Sequence, residues 1–310
     1  MFVSVLLFAV GLVLLIYGGD WFVDGATGIA RRFRLPDIVV GATVVSIGTT
    51  LPEVMVSTAG ALQGSGAMAY GNAIGSIICN TALIAAISIT CNPGPVNVKS
   101  MKTPAIFFFL AAAIYCVAAY GLGTFPRWLG FVMLGVFAAY MALTVRNGLR
   151  SPDAAGETEE EEKVRKLWQE LLLLVGGAAV IAIGADLLVE HGQIIALGLG
   201  VPETVVALLF VALGTSLPEL FTSVAAAKQG NADIAIGNIV GSNIFNILFV
   251  VGLSALIVPV PFASGFLFDT IVATAAAVLL LLCCIKGRKL KRWHGIVMLL
   301  GYVAYFIAIF

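Results

Sequence analysis

The chain has 310 residues, of which 60% are hydrophobic and only 11% are charged, and its formal net charge is zero. Soluble domains average about 25% charged residues, so this composition, with a mean hydropathy of +1.06, excludes an ordinary soluble globular domain. We expect a protein embedded in a lipid bilayer, without a nucleic-acid partner.

Ten apolar runs follow one another along the chain, each close to the ~20 residues that a spanning helix needs. The first run lacks a basic leading segment and a small-residue cleavage site, so we interpret it as a retained helix rather than a signal peptide. The predicted fold class is therefore an all-α membrane protein with ten transmembrane helices. The runs are 3–26, 38–63, 70–91, 104–121, 127–146, 168–189, 201–226, 234–258, 265–286 and 293–310.

The basic residues are distributed unevenly over the loops between these runs. Sixteen of the 17 lysines and arginines lie in loops that follow an odd-numbered run, and only Arg127 lies in an even-numbered loop. Basic loops stay on the cytoplasmic side of a membrane. This pattern predicts a multi-pass protein of the cytoplasmic (inner) membrane with both termini outside.

One stretch of the sequence occurs twice. Gly48–Glu53 (GTTLPE) returns as Gly214–Glu219 (GTSLPE), and Gly71–Asn80 returns as Gly237–Asn246, with a constant offset of 166 residues. The repeated regions are 41–80 and 207–246, within two five-helix halves, 1–146 and 168–310. An acidic segment, 147–167, joins the halves, and we interpret it as a solvated cytoplasmic linker rather than a regulatory cation site. Because five is odd, the second half is predicted to be inverted, as in many secondary transporters.

Each copy of the repeat combines polar groups inside an apolar run. Pro52 cannot donate to the carbonyl of Gly48, so a kink is expected there, and Pro218 has the same effect in the second copy. Carboxylates within a membrane span are costly and are usually functional. The asparagines of the repeat, Asn72 and Asn80 in the first copy and Asn238 and Asn246 in the second, can also simply bridge helices by hydrogen bonding. In both copies, however, the asparagines have the same spacing to a glutamate, and this duplication favours an ion-binding site.

The predicted polar core contains only oxygen ligands, or amides that present oxygen. Such sites favour calcium, sodium and magnesium over zinc or copper, and calcium matches a flexible, dry cage better than magnesium does. Two carboxylates give a charge of −2, which one divalent or two monovalent cations neutralise. The predicted ligands are Glu53, Glu219, Thr49, Thr50, Ser76, Asn80, Thr215, Ser216, Ser242 and Asn246.

These paired motifs resemble the two α-repeats of the calcium/cation antiporters, specifically the prokaryotic type of sodium/calcium exchanger. The resemblance covers nearly the whole chain. It implies a secondary antiporter, not an enzyme and without a cofactor, that exchanges Ca²⁺ for Na⁺ by alternating access and functions as a monomer. It also implies that both glutamates are shared by the two ions, and it adds the backbone carbonyls of Ser46 and Ala212 as ligands.

The sequence departs from this family at one point. Many members carry an aspartate at one of the two positions occupied here by Asn80 and Asn246. The loss of a possible third negative charge leaves the coupling stoichiometry and the driving ion open. The alternatives are proton-driven calcium exchange and potassium-dependent sodium/calcium exchange. A cation channel and an intramembrane acid–base enzyme are alternatives of other classes. The channel is disfavoured because pores usually place such carboxylates in oligomeric rings.

Overall fold

A computed structural model describes residues 2–94, 98–150, 165–200, 214–262, 267–287 and 290–309. These residues are mostly helical. In chain order they form α1 Phe2–Phe33, α2 Asp37–Val40, α3 Ser46–Thr49, α4 Leu51–Leu62, α5 Gly66–Ile78, α6 Ala85–Cys91, α7 Val98–Cys116, α8 Arg127–Leu149, α9 Leu167–Gly198, α10 Leu217–Lys228, α11 Ala232–Phe245, α12 Val251–Ile257, α13 Leu267–Gly287 and α14 Arg292–Ile309. Two short strands, β1 Thr124–Phe125 and β2 Val260–Pro261, pair antiparallel.

Several of these helices are joined by π-helical turns without a break in direction. Gly41–Val45 links α2 to α3, Cys79–Ile84 links α5 to α6, Asn246–Val250 links α11 to α12, and Val117–Leu122 extends α7. Such turns are rare, and they frequently occur at functional sites. Two of them begin at or beside Asn80 and Asn246.

Six helices within the described residues are long and apolar enough to cross a membrane. They are Phe2–Phe33, Gly66–Cys91, Met101–Leu122, Arg127–Leu149, Leu167–Gly198 and Ala232–Ile257. The bent pair Asp37–Thr49 and Leu51–Leu62 makes a seventh if it counts as one span. A mostly helical membrane protein is thus confirmed, whereas the ten spans and the inverted repeats stay predictions. Residues 201–213 of the seventh predicted run and most of the acidic linker lie outside the described residues.

The helices α1 and α9 are longer than their predicted apolar runs, with 32 residues each. Hydropathy marks only the apolar part of a helix, and here α1 continues past Asp24 to the basic residues Arg31 and Arg32, while α9 continues past Glu190 to Gly198. Arg34, with φ 52°, ends α1 in the left-handed conformation, and Leu35 N donates to Ala30 O at 2.9 Å. This is the Schellman arrangement of a helix C-terminus.

These two long helices pack against each other as an antiparallel pair through a seam of glycines. Gly11 faces Gly184, whereas Gly25, two heptads further along α1, faces Leu174. A Cβ atom at Gly25 would lie 2.5 Å from the Leu174 nitrogen, so only glycine permits this approach. Small residues allow helix backbones to approach closely in a membrane.

The polar repeat segments lie at the centre of the helix assembly. Every residue of α11 from Ile234 to Phe245 is buried. A Cβ atom at Gly237 would lie 2.4 Å from the carbonyl oxygen of Ile38, and one at Gly241 would lie 2.7 Å from Ala42 Cα. These glycines bring α11 into backbone contact with the segment from α2 to α3. The two repeat regions are therefore held together by close helix packing.

Candidate cation site

The first copy of the repeat is broken at Thr50. There α3 ends, and α4 begins at Leu51 at an angle of 46°. Pro52 occupies the first turn of α4, where a missing N–H costs little. The kink predicted from Pro52 is confirmed. In the second copy α10 begins at Leu217, directly before Pro218, and the segment preceding Gly214 lies outside the described residues.

The two predicted carboxylates lie in equivalent positions. Glu53 is in the first turn of α4 and Glu219 in the first turn of α10, and both are 0% exposed. Helix N-termini favour negative charge because their backbone N–H groups are not used within the helix. The fold thus places each carboxylate where backbone N–H groups partly offset the free-energy cost of burying its negative charge.

Each carboxylate accepts a hydrogen bond from the other copy of the repeat. Thr50 Oγ1 donates to Glu219 Oε1 at 3.0 Å, and Ser216 Oγ donates to Glu53 Oε1 at 3.5 Å. Ser76 Oγ adds a bond to Glu53 Oε1 at 3.2 Å from within the first copy. The Ser242 hydroxyl lies 3.0 Å from that of Thr50. The structure therefore joins six of the predicted site residues in two hydrogen-bonded groups of three, and each group contains one carboxylate and residues of both repeat copies.

A second set of contacts surrounds the carboxylates and follows the same symmetry. Thr49 Oγ1 donates to Asn238 Oδ1 at 3.2 Å, and Thr215 Oγ1 donates to Asn72 Oδ1 at 3.4 Å. Asn72 Nδ2 also donates to the carbonyl oxygen of Glu53 at 3.2 Å. These two asparagines bridge the helices by hydrogen bonding, which is the alternative interpretation that the sequence left open for the asparagines of the repeat.

Two serines complete this set and were not predicted from the sequence. Ser57 accepts from Asn72 Nδ2 at 2.9 Å, and Ser223 accepts from Asn238 Nδ2 at 3.0 Å. Both are fully buried. Each serine follows its glutamate by four residues and thus shares its helix face, a spacing that was available in the sequence.

Asn80 and Asn246 differ from the other two asparagines. Both are 0% exposed, and neither side-chain amide has a hydrogen-bond partner within the described residues. In the same part of the chain, the Oε2 atoms of Glu53 and Glu219 are buried and have no hydrogen-bond partner. Because an unsatisfied buried polar atom costs about 1–3 kcal/mol, these oxygens are suited to a ligand. The donor set fits a cation that requires oxygen ligands.

The remaining predicted ligands were the carbonyls before each motif. Ser46 is buried, and its carbonyl oxygen accepts from Thr50 N at 3.1 Å and from Thr49 Oγ1 at 3.5 Å. Its hydroxyl donates to the Thr43 carbonyl at 3.1 Å. Ala212 lies outside the described residues.

The ligand types limit the chemistry of the site. In the part of the chain that the structure describes, no group of three or more His, Cys, Asp or Glu side chains converges. The site thus combines two carboxylates with neutral hydroxyl and amide oxygens. Calcium and sodium accept such oxygen sets, whereas zinc and copper prefer imidazole and thiolate.

Comparison with known proteins agrees with this geometry. The family model described as "Sodium/calcium exchanger protein" matches residues 3–146 and 170–310. The chain belongs to the sodium/calcium exchanger family. The resemblance inferred from the motifs is thereby confirmed. The interruption of this exchanger match, between residues 146 and 170, falls at the acidic segment.

Relatives of similar length support the family assignment. The sodium/calcium exchanger MaX1 of Methanosarcina acetivorans is 32% identical over 345 residues, covering 99% of this chain and 99% of MaX1. The putative antiporter CaxA of Alkalimonas amylolytica is 36% identical over 317 residues, covering 98% of both chains. Among solved structures, the sodium-calcium exchanger NCX_Mj, soaked with 2.5 mM Na⁺ and 0.1 mM Ca²⁺, aligns with a TM-score of 0.84 at 34% identity over 98% of both chains.

Proposed function

We propose that this protein is a secondary antiporter that exchanges Na⁺ for Ca²⁺ across a membrane. The observation that carries the proposal is the reciprocal contact of two fully buried carboxylates, Glu53 and Glu219, with hydroxyls of the opposite repeat copy. A site formed between two repeats, rather than within one, can change its access when the repeats move relative to each other. Family membership and the name of MaX1 support the same function.

The ions bind, in this proposal, to the polar group around the two glutamates. Their combined charge of −2 is neutralised by one Ca²⁺ or by two Na⁺, which allows the two ions to compete for one site. Calcium takes about 6–8 oxygen ligands, more than the two carboxylates supply, so hydroxyls, amides and carbonyls complete the shell. The proposed ligands are Glu53, Glu219, Thr49, Thr50, Ser76, Asn80, Thr215, Ser216, Ser242 and Asn246, with the carbonyls of Ser46 and Ala212.

The proposed topology has ten spans in two inverted halves, 1–146 and 168–310, with both termini outside and the segment 147–167 in the cytoplasm. The charge distribution supports it. A cysteine replacing Gly156 is then protected from an impermeant thiol reagent in intact cells, whereas one replacing Gln193 reacts. Both are made in a background without native cysteines. Labelling in the reverse order contradicts the proposed orientation.

Transport by the purified chain tests the function directly. Proteoliposomes loaded with Na⁺ are expected to accumulate calcium-45 from a Na⁺-free medium, and liposomes with equal Na⁺ on both sides are not. A Glu53→Gln, Glu219→Gln double variant serves as the matched control, since glutamine keeps the volume of glutamate. Calcium entry that needs no cation on the opposite side would instead indicate a channel.

A proton-driven exchanger is the second candidate. Asparagine at both position 80 and position 246 favours it, because the site lacks a third carboxylate that would help to hold additional sodium. The same proteoliposomes, loaded with K⁺ or energised by a pH gradient without Na⁺, distinguish the cases. Uptake driven by the pH gradient alone identifies proton exchange, and uptake that needs both Na⁺ and K⁺ identifies potassium-dependent exchange.

A further inference from the structure

An apolar cavity of about 270 Å³ lies beside the break between α3 and α4. Phe22 of α1 and Ile181 of α9 line one side, and Pro52 lines the other. Among the lining side chains only Thr49 carries an oxygen or nitrogen atom, and its hydroxyl donates to Asn238. The cavity is therefore an apolar site that borders the candidate cation site at Thr49.

The rim of this cavity faces the hydrocarbon of the bilayer. Leu51 and Met55 of α4 line it and are 50% and 71% exposed. Ala179 and Ala182 of α9 line it from the other side and are also exposed. Because α9 and the bent pair are apolar spans, exposed apolar side chains along them lie against lipid. The cavity thus opens sideways into the membrane.

The size and chemistry of the cavity indicate its occupant. A 150 Å³ apolar cavity in a protein holds a benzene molecule but stays free of water, since water needs about 2–4 polar partners. At about 270 Å³ this cavity is larger, and it opens on a phase of hydrocarbon chains. We propose that it binds one acyl chain of a bilayer phospholipid.

A chain bound there packs against both copies of the repeat. Pro52 and Pro218, at the starts of α4 and α10, both line the cavity, as do Phe22 and Ile181 of the α1–α9 pair. The acyl chain thus contacts both this pair and the first turns of the two helices that carry the buried glutamates. The inference depends on the membrane location and not on which ions are transported.

Native mass spectrometry tests the proposal with the full chain. The protein is reconstituted in nanodiscs of one synthetic phosphatidylcholine and extracted in mild detergent. The mass of the protein with its retained lipids is then measured. Ala182→Phe blocks the rim, and Ala139→Phe, at an exposed position of α8 outside the cavity, is the matched control. The expected result is the loss of one retained phosphatidylcholine in Ala182→Phe alone. Equal lipid retention by the wild type and both variants, or retention of detergent or free fatty acid only, overturns the proposal.

A fluorescence measurement gives an independent test. Phe22→Trp, with the four native tryptophans changed to phenylalanine, places an indole at a cavity wall that is 2% exposed. Phosphatidylcholine brominated at mid-chain is expected to quench it more strongly than an indole at Phe125, which is 0% exposed in the core. Adding Ala182→Phe should remove the difference. Equal quenching at the two positions contradicts an acyl chain in the cavity. The mass measurement decides by itself where the Phe22 variant does not fold.

Discussion

The Thr50 hydroxyl provides a direct test of the contact between the two repeat copies. It donates to Glu219 Oε1 at 3.0 Å, and the other carboxylate oxygen has no partner within the described residues. Thr50→Ala therefore removes the hydroxyl that bonds Glu219 Oε1, and it also removes a proposed ligand. A hydrogen bond to a charged group contributes about 1.5–3 kcal/mol. This corresponds to calcium binding that is about 10- to 150-fold weaker.

The equivalent residue in the second copy, Ser216, allows the expected loss of calcium binding to be compared within the same protein. Ser216 Oγ is 3.5 Å from Glu53 Oε1, at the limit of hydrogen bonding, and Glu53 also accepts from Ser76 at 3.2 Å. Hydrogen bonds weaken with distance beyond about 3.2 Å. We therefore expect Ser216→Ala to weaken calcium binding less than Thr50→Ala does.

The assay is the initial rate of calcium-45 uptake into sodium-loaded proteoliposomes, measured over a range of external calcium concentrations. Thr50→Ser retains the hydroxyl and should keep the half-saturating concentration close to that of the wild type. Thr27→Ala removes a buried hydroxyl that, among the described residues, bonds its own helix at the Val23 carbonyl 2.8 Å away, and it serves as the control. An unchanged half-saturating concentration in a folded Thr50→Ala protein, or a larger effect from Ser216→Ala, would refute the reasoning.

Three further predictions concern charge and packing. Glu53→Gln or Glu219→Gln removes half the formal charge of the site and should abolish calcium uptake while the protein remains folded by thermal-shift measurement; full transport by either variant would make the carboxylates structural. Asn246→Asp should strengthen sodium competition against calcium uptake, because a third carboxylate ~4 Å from a sodium ion contributes about 4 kcal/mol at an effective dielectric constant near 20; unchanged competition between pH 6 and 9 would exclude this residue from the sodium site. Gly25→Ala should destabilise the protein by about 1–3 kcal/mol because its Cβ would lie 2.5 Å from the backbone of α9, whereas Gly135→Ala, with no atom within 4 Å, should not; equal melting temperatures would contradict the glycine seam.

The sequence contained most of the information on the site but little on how its parts meet. The duplication identified both glutamates as site residues. The kink at Pro52 was predictable because the missing N–H of a proline acts on its own helix. The pairing of Thr50 with Glu219 is a contact across 169 residues, and spacing within one helix cannot indicate it.

Other features of the fold could not be predicted from hydropathy or periodicity. The π-helical turn at Asn246 changes the hydrogen-bond register by one residue and leaves the apolar pattern almost unchanged. The strands at Thr124 and Val260 are too short to produce a periodic signal. The ends of α1 and α9, after Asp24 and Glu190, continue as helix beyond the apolar segments predicted from hydropathy.

The crossed contacts between the repeat copies have a consequence for biosynthesis. Glu53 enters the membrane with the first half of the chain, but its partner hydroxyl, Ser216, is synthesised 163 residues later. At about 5–20 residues per second, the ribosome needs roughly 8 to 33 s to reach it. During this interval the first half holds a carboxylate whose partner from the second half has not yet been made. A chain that ends before Ser216 therefore keeps an incomplete polar centre inside the bilayer.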